Sequence, residues 1–421
     1  MSSRVALDCS QLLASSESAR SIPRAVMVLF SVVLSITAAV PALPASDGEG
    51  QEAAETTAAE STESENTKNT TAEKTKKGPP FIAIPIFITE PAVGYGLGGA
   101  VGYFHKKKHG ASADSSEFSK IQTVDTAANP GKQHKVPPTI SGIAVAYTEN
   151  GTWGGGLAHT ASWKQDKIRY TGALGYAHIV STFYFNDDPW DFEFDTGLLL
   201  QDLKFRIGSS RFFVGGKLVY LTPDLVFDDE LEDIPEVEDR TSLTDFGLAL
   251  QGDYDGRDNK MTPNRGQYLE LVAWQHLDKL GGELDYWKVG LMFDSYHPMA
   301  NQKLVLGLHL DIDTAGGDAP IWGYPWISMR GIPALRYQNE TTAVFASELR
   351  WNLAERWAVV GFAGIGATSG DIPVFEEEDG VVAGGLGGRY LFRPQDSLWV
   401  GIDLARGPED WVLYVVVGHD W

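Results

Sequence analysis

The run Lys303–Asp313 reads K-L-V-L-G-L-H-L-D-I-D. Leu304, Leu306, Leu308, Leu310 and Ile312 occupy every second position, with Lys303, Val305, Gly307, His309, Asp311 and Asp313 between them. A period of two kept over this length predicts a strand with one apolar and one polar face. The pattern recurs. Phe345, Leu349, Trp351 and Leu353 alternate with Ala346, Glu348, Arg350 and Asn352. Leu398, Val400, Ile402 and Leu404 alternate with Trp399, Gly401 and Asp403, and Phe246, Leu248 and Leu250 with Asp245, Gly247, Ala249 and Gln251.

Roughly sixteen such segments fit between Ile82 and Gly418, separated toward the C-terminus by alternately tight and long connections. Gly208-Ser209, Met299–Gln302, Ala354-Glu355 and Arg393–Asp396 are short, whereas Pro223–Thr241, Gly316–Glu340 and Ser369–Val381 are long. An even number of strands with short turns at one rim and long loops at the other predicts an all-β fold, a transmembrane antiparallel β-barrel. A soluble sandwich would need a second apolar sheet, but nearly every strand here sets polar residues or glycine opposite its apolar set. Trp351, Trp357, Trp399, Trp411 and Trp421 add an expected interfacial belt. Hydrocarbon satisfies no open strand edge, so the sheet must close.

The segments before the barrel point the same way. Arg20 and Arg24 precede an uncharged stretch from Ala25 to Ser46, and the small residues A-A-V-P-A-L-P-A follow its apolar centre. Residues 1–45 therefore read as a secretory signal peptide cut near Ala42 or Ala45, with the start codon lying further in. Its apolar core is short for a membrane anchor. Residues 46–79 carry Glu, Ala, Thr, Ser, Lys and Asn without aromatics, the composition of a linker that cannot bury a core. Residues 80–421 form the barrel. His105–Val136 is a polar insert on the short-turn side; either the barrel carries a periplasmic insert over 106–137 or Ile82–Ile88 does not span.

Composition excludes several functions. The chain has 34 basic and 56 acidic side chains, a formal charge of −22, which argues against a nucleic-acid surface. Cys9 is the single cysteine, so neither a disulfide framework nor a cysteine metal site is expected. Nine histidines are scattered without a Ser or Asp at a catalytic spacing, and His309 and His419 are explained by strand positions. No enzyme activity, metal or cofactor is expected.

Two stretches are more specific than alternation. One is the loop Trp326–Tyr337, W-I-S-M-R-G-I-P-A-L-R-Y, within a connection too long to be a simple turn. Trp322, Tyr324, Trp326, Ile327, Met329, Ile332 and Leu335 are residues that become buried, so the loop must pack. The other is D-Y-D-G-R-D-N-K-M-T-P-N-R-G, Asp253–Gly266, in a turn between two strands. Asp255, Asp258 and Asn259 suit capping bonds to backbone amides, while Pro263 and Gly266 set the turn shape. Asp253, Asp255 and Asp258 lack the spacing of a full calcium loop.

With the aromatic C-terminal strand W-V-L-Y-V-V-V-G-H-D-W, these stretches resemble the BamA/TamA superfamily of outer-membrane barrels, the bacterial surface antigen family. The likeness spans the barrel and implies sixteen strands, with the sixth extracellular loop folded into the lumen between strands eleven and twelve. It implies that Arg330 and Gly331 anchor that loop, with Ile332 replacing the expected aromatic. Glu348, on the polar face of strand twelve, is the first candidate counter-charge for Arg330. The family's strand-thirteen carboxylate is missing, because that stretch reads F-A-G-I-G with Gly364 in its place. A weaker or differently paired anchor follows, with Asp403 as the alternative partner. The resemblance assigns Asp255, Arg257, Asp258, Asn259, Pro263 and Gly266 to a fold-determining periplasmic turn, and Trp421 to the C-terminal assembly signal.

Relatives that assemble or export proteins usually carry periplasmic POTRA domains, and residues 46–79 are too few for one. The resemblance implies a role in outer-membrane biogenesis, inserting or translocating protein or lipid without POTRA domains. The alternative is a passive plugged channel or structural surface protein. Expected partners are outer-membrane lipids, the assembly machinery for its own insertion, and client proteins or lipids.

Overall fold

The computed structural model describes residues 81–105, 139–185, 188–226, 240–259, 262–320, 323–372, 375, 378, 380–393 and 398–417. The expectations for the signal peptide, the linker, the 106–137 insert, Trp322, His419 and Trp421 lie outside these residues.

One antiparallel sheet contains every strand: β1 (Phe81–Ile88), β2 (Gly96–Phe104), β3 (Ile140–Thr148), β4 (Trp153–Trp163), β5 (Ile168–Phe185), β6 (Asp188–Arg206), β7 (Phe212–Val226), β8 (Arg240–Ser242), β9 (Asp245–Asp255), β10 (Gly266–His276), β11 (Tyr286–Met299), β12 (Leu304–Gly317), β13 (Thr341–Ala354), β14 (Trp357–Ser369), β15 (Val381–Arg393), β16 (Leu398–Arg406) and β17 (Trp411–Val417). Sequential neighbours pair throughout. The short β8 and the longer β9 both pair with β7, so together they fill one stave of a sixteen-stranded, nearly closed barrel. The first segment is therefore a strand of the wall, which resolves the choice left open at Ile82–Ile88: β1 pairs with β2 along its whole length.

Alternation sets the two faces. Leu250, Leu386 and Leu97 are 76%, 68% and 65% exposed, an apolar outer surface suited to hydrocarbon rather than water. Trp351, Trp357 and Trp411 share that outer face. Trp399 does not: it is one residue out of step with outward Ile402 and Leu404, which puts it on the lumen side, a correction to the expected belt.

Among the described residues the barrel does not zip shut. β1 and β17 come close together, yet among the described residues no backbone ladder joins them. Pro85 sits mid-strand in β1, where it removes an amide donor, a placement tolerated at an edge strand.

Candidate functional site

The β12–β13 connection turns into the barrel. Tyr324, Trp326, Ile327, Ile332 and Leu335 are all buried, as their composition requires. The loop closes on itself through Ile327 N donating to Tyr337 O at 2.9 Å and a bridge between Trp326 and Gln338. Two apolar contacts hold it. Trp326, Ala334 and Leu335 join a core with Ile86, Ile88, Ala100 and Ala144 from the first three strands and with Val93 from the turn between β1 and β2. Ile327, Ile332 and Tyr337 pack on Val344, Val381 and Ala383 from β13 and β15. Ile332, in place of an aromatic, fills the second contact.

Arg330 occupies the centre with its side chain 7% exposed. Its Nη2 donates to Glu348 Oε2 at 2.8 Å and its Nη1 to Asp403 Oδ2 at 2.7 Å. Both candidate partners thus bind at once, Glu348 from β13 and Asp403 from β16. Arg389 on β15 closes the group: its Nη2 donates to Asp403 Oδ2 at 2.9 Å, its Nη1 bonds the other Asp403 oxygen, and Glu348 Oε2 lies 3.9 Å away. Two guanidinium groups and two carboxylates, all with buried side chains, neutralise one another. The Arg330 guanidinium carbon also lies 3.8 Å from the Phe362 ring centroid, a cation–π contact.

Of the two alternatives expected for the anchor, the structure shows the different pairing, with Asp403 joining Glu348. A side chain at Gly364 would have to displace Met329 Sδ of the loop, which packs against that position. The position is spent on close packing, and Asp403 supplies the second charge from β16. Gly331 is required twice over. Its φ is +99°, and a side chain would press on Ala383, Arg406 and Gly407 at 3.2 Å.

The same loop touches both edges of the unzipped seam. Gly331 N donates to Tyr414 Oη of β17 at 3.0 Å, and three residues on Ala334 N donates to Glu90 Oε1, just beyond β1, at 2.9 Å. Burial pushes the Glu90 carboxyl above its ordinary value, against the opposing effect of backbone donors Ala334 and Ala92. Tyr337 donates to Glu409 between β16 and β17, and Arg336 pairs with the same carboxylate at 3.2 Å. Burial and that carboxylate push the Tyr337 hydroxyl well up.

The turn also forms as a unit. Asp258 Oδ1 accepts from Asn264 N at 3.0 Å and Arg265 N at 3.2 Å, and Asn259 Oδ1 accepts from Thr262 N at 3.0 Å. Asp255 Oδ1 accepts from Arg257 Nε at 3.1 Å, and Arg257 stacks 4.1 Å above Tyr268. Pro263 is buried and Gly266 takes φ +109°. Elsewhere in the lumen Lys204 lies 2.6 Å from Asp253 and Lys217 3.0 Å from Glu270, while Asp166 binds Arg169 and Arg206. His309 is held by Asp294 at 2.7 Å and His276 by Asp245 at 2.6 Å, so each pairs within the wall.

Sequence reading missed Arg389, Phe362, Tyr414 and Glu90. Arg389 carried a signal, an arginine on the lumen side of a glycine-rich strand; Glu90 carried none, because its partner is a backbone amide 244 residues away.

A family profile described as an Omp85 superfamily domain matches residues 88–321. Among solved structures, BamA from Haemophilus ducreyi lacking POTRA domains 1-3 aligns with TM-score 0.54 at 12% identity, over 80% of this chain and 69% of that one. CdiB from Acinetobacter baumannii aligns with TM-score 0.51 at 11% identity, over 80% of this chain and 59% of that one. CdiB from Escherichia coli gives TM-score 0.53 at 11% identity, over 81% and 63%. This chain thus spans less than two thirds of either CdiB chain. At these identities the likeness is one of fold. No curated protein sequence matches the chain.

Proposed function

Because the chain belongs to the Omp85 superfamily, whose barrels lie in the Gram-negative outer membrane, we propose that it assists outer-membrane biogenesis by admitting protein or lipid to the bilayer at the β1–β17 seam. One observation carries this reading. The seam has no backbone ladder among the described residues, and a lumen loop bonded to Tyr414 and Glu90 holds its two edges instead. Edge strands with unpaired amides are templates for another strand. Here a few side-chain bonds, not a ladder, oppose separation. Signal-peptide removal, its own insertion by assembly machinery and work on client proteins or lipids belong to this proposal, as does the absence of catalysis. Depletion tests it: the abundance of other outer-membrane proteins, or of surface lipids, should fall. Unchanged levels of both would refute it.

A plugged channel is the second reading, favoured by the charged lumen wall around Lys204, Asp253 and Glu270. It predicts that Arg330→Ala raises conductance in planar bilayers; a silent bilayer with both forms excludes it.

A further inference from the structure

The turn at residues 256–265 reaches further than a hairpin turn needs to. It joins β9 to β10, yet its tip touches β13, with β11 and β12 lying between. Arg350 Nη2 of β13 donates to Pro263 O at 3.1 Å and to Asn264 Oδ1 at 2.5 Å. Thr262 beside them is 2% exposed, so the turn is folded inward beneath the lumen.

Arg350 is 4% exposed and shares the lumen face of β13 with Glu348, two residues away. Glu348, Arg389, Asp258 and Tyr296 are the charged and titratable groups that face it. Its Nε finds no acceptor among the described residues. A buried guanidinium with an unmet donor competes for any carboxylate in reach, because an unsatisfied charged donor is costly. The nearest carboxylate on its own strand is Glu348, which already holds the loop through Arg330.

We propose that Arg350 is a positioning residue that couples the periplasmic turn to the lumen loop. The turn occupies Arg350 through Pro263 and Asn264 and so leaves Glu348 to Arg330. When the turn is drawn away by a polypeptide or lipid arriving at that rim, Arg350 takes Glu348 and the loop loses one of its two charges. The two most specific motifs of the sequence are then the ends of one relay: Asn264, Arg350, Glu348, Arg330. The relay gives the proposed seam opening a trigger, and only that consequence rests on the biogenesis reading.

Loop position can be read without any client. In a chain with Cys9→Ser, an Ile332→Cys thiol marks the buried loop, and its reaction with a maleimide reports loop release. Asn264→Ala should speed labelling by roughly tenfold or more, the effect on an opening equilibrium of losing a hydrogen bond to a charged group. Adding Arg350→Gln, which removes the competing charge, should return labelling to the parent rate, a rescue that general loosening cannot give. Asn264→Asp, which keeps an acceptor on Arg350, should label no faster than the parent and serves if the alanine variant folds poorly. An Ile140→Cys control on the β3 wall should stay slow throughout. Parent-like labelling in Asn264→Ala, fast labelling that Arg350→Gln does not reverse, or fast labelling in Asn264→Asp would overturn the coupling. Such a failure would leave the biogenesis reading intact, while unchanged outer-membrane composition on depletion would leave the coupling intact.

Discussion

Arg330 is bound by two carboxylates that sit on different strands, so its removal leaves Glu348 and Asp403 buried with Arg389 alone between them. Truncating one partner of a buried ion pair costs about 3–5 kcal/mol. Arg330→Ala and Glu348→Ala should each lower barrel thermal stability on that scale, and the double variant should lose far less than the sum. Additive losses, read as melting shifts in detergent, would show that the two side chains act independently. Gly364 makes the opposite kind of prediction. Gly364→Asp restores the family's carboxylate, yet it should destabilise the barrel because the new side chain displaces Met329. Pairing Gly364→Ala with Met329→Ala should recover most of the loss from Gly364→Ala alone, and no recovery would mean that the clash is not the cause.

The loop and the two strands it grips show how charge and backbone cooperate within one element. Glu90 accepts from Ala334 while buried, and its folded pKa lies above the ordinary 4.5. The folded state therefore holds that proton more tightly than the unfolded chain. Its contribution to stability is fully present below pH 4.5 and is lost as pH rises through the raised folded value. Glu90→Gln keeps an oxygen acceptor without the charge, so it should flatten this decline and melt higher than the parent at neutral pH; an unchanged pH profile would argue against it. The strands themselves were legible from alternation, since Lys303–Asp313 and Ala343–Leu353 have the faces their periods predict. Arg330 as the loop anchor came instead from the family resemblance, with Glu348 offered as partner from the polar face of its strand and Asp403 as the alternative. What alternation could not show was simultaneous binding by both, because that depends on how far a loop penetrates a lumen. Nor could it show the seam contacts, which pair backbone amides with Tyr414 and Glu90, positions that leave no pattern in sequence.

At the scale of the whole molecule, the wall formed by the described residues is continuous except at one place, and the plug is fastened beside that place. Among the described residues, fifteen of the sixteen steps around the barrel would have to be broken ladder by ladder, whereas the closing step relies on loop contacts. Anchor and seam should therefore be coupled: a loop released from Glu348 and Asp403 no longer presents Gly331 to Tyr414 or Ala334 to Glu90. Amide hydrogen exchange of the intact barrel in lipid nanodiscs measures this most directly, comparing parent with Arg330→Ala. The predicted result is faster exchange confined to Phe81–Ile88 and Trp411–Val417, with β5 and β6 unchanged. Equal protection of the seam strands in both forms, or a uniform rise around the barrel, would contradict it.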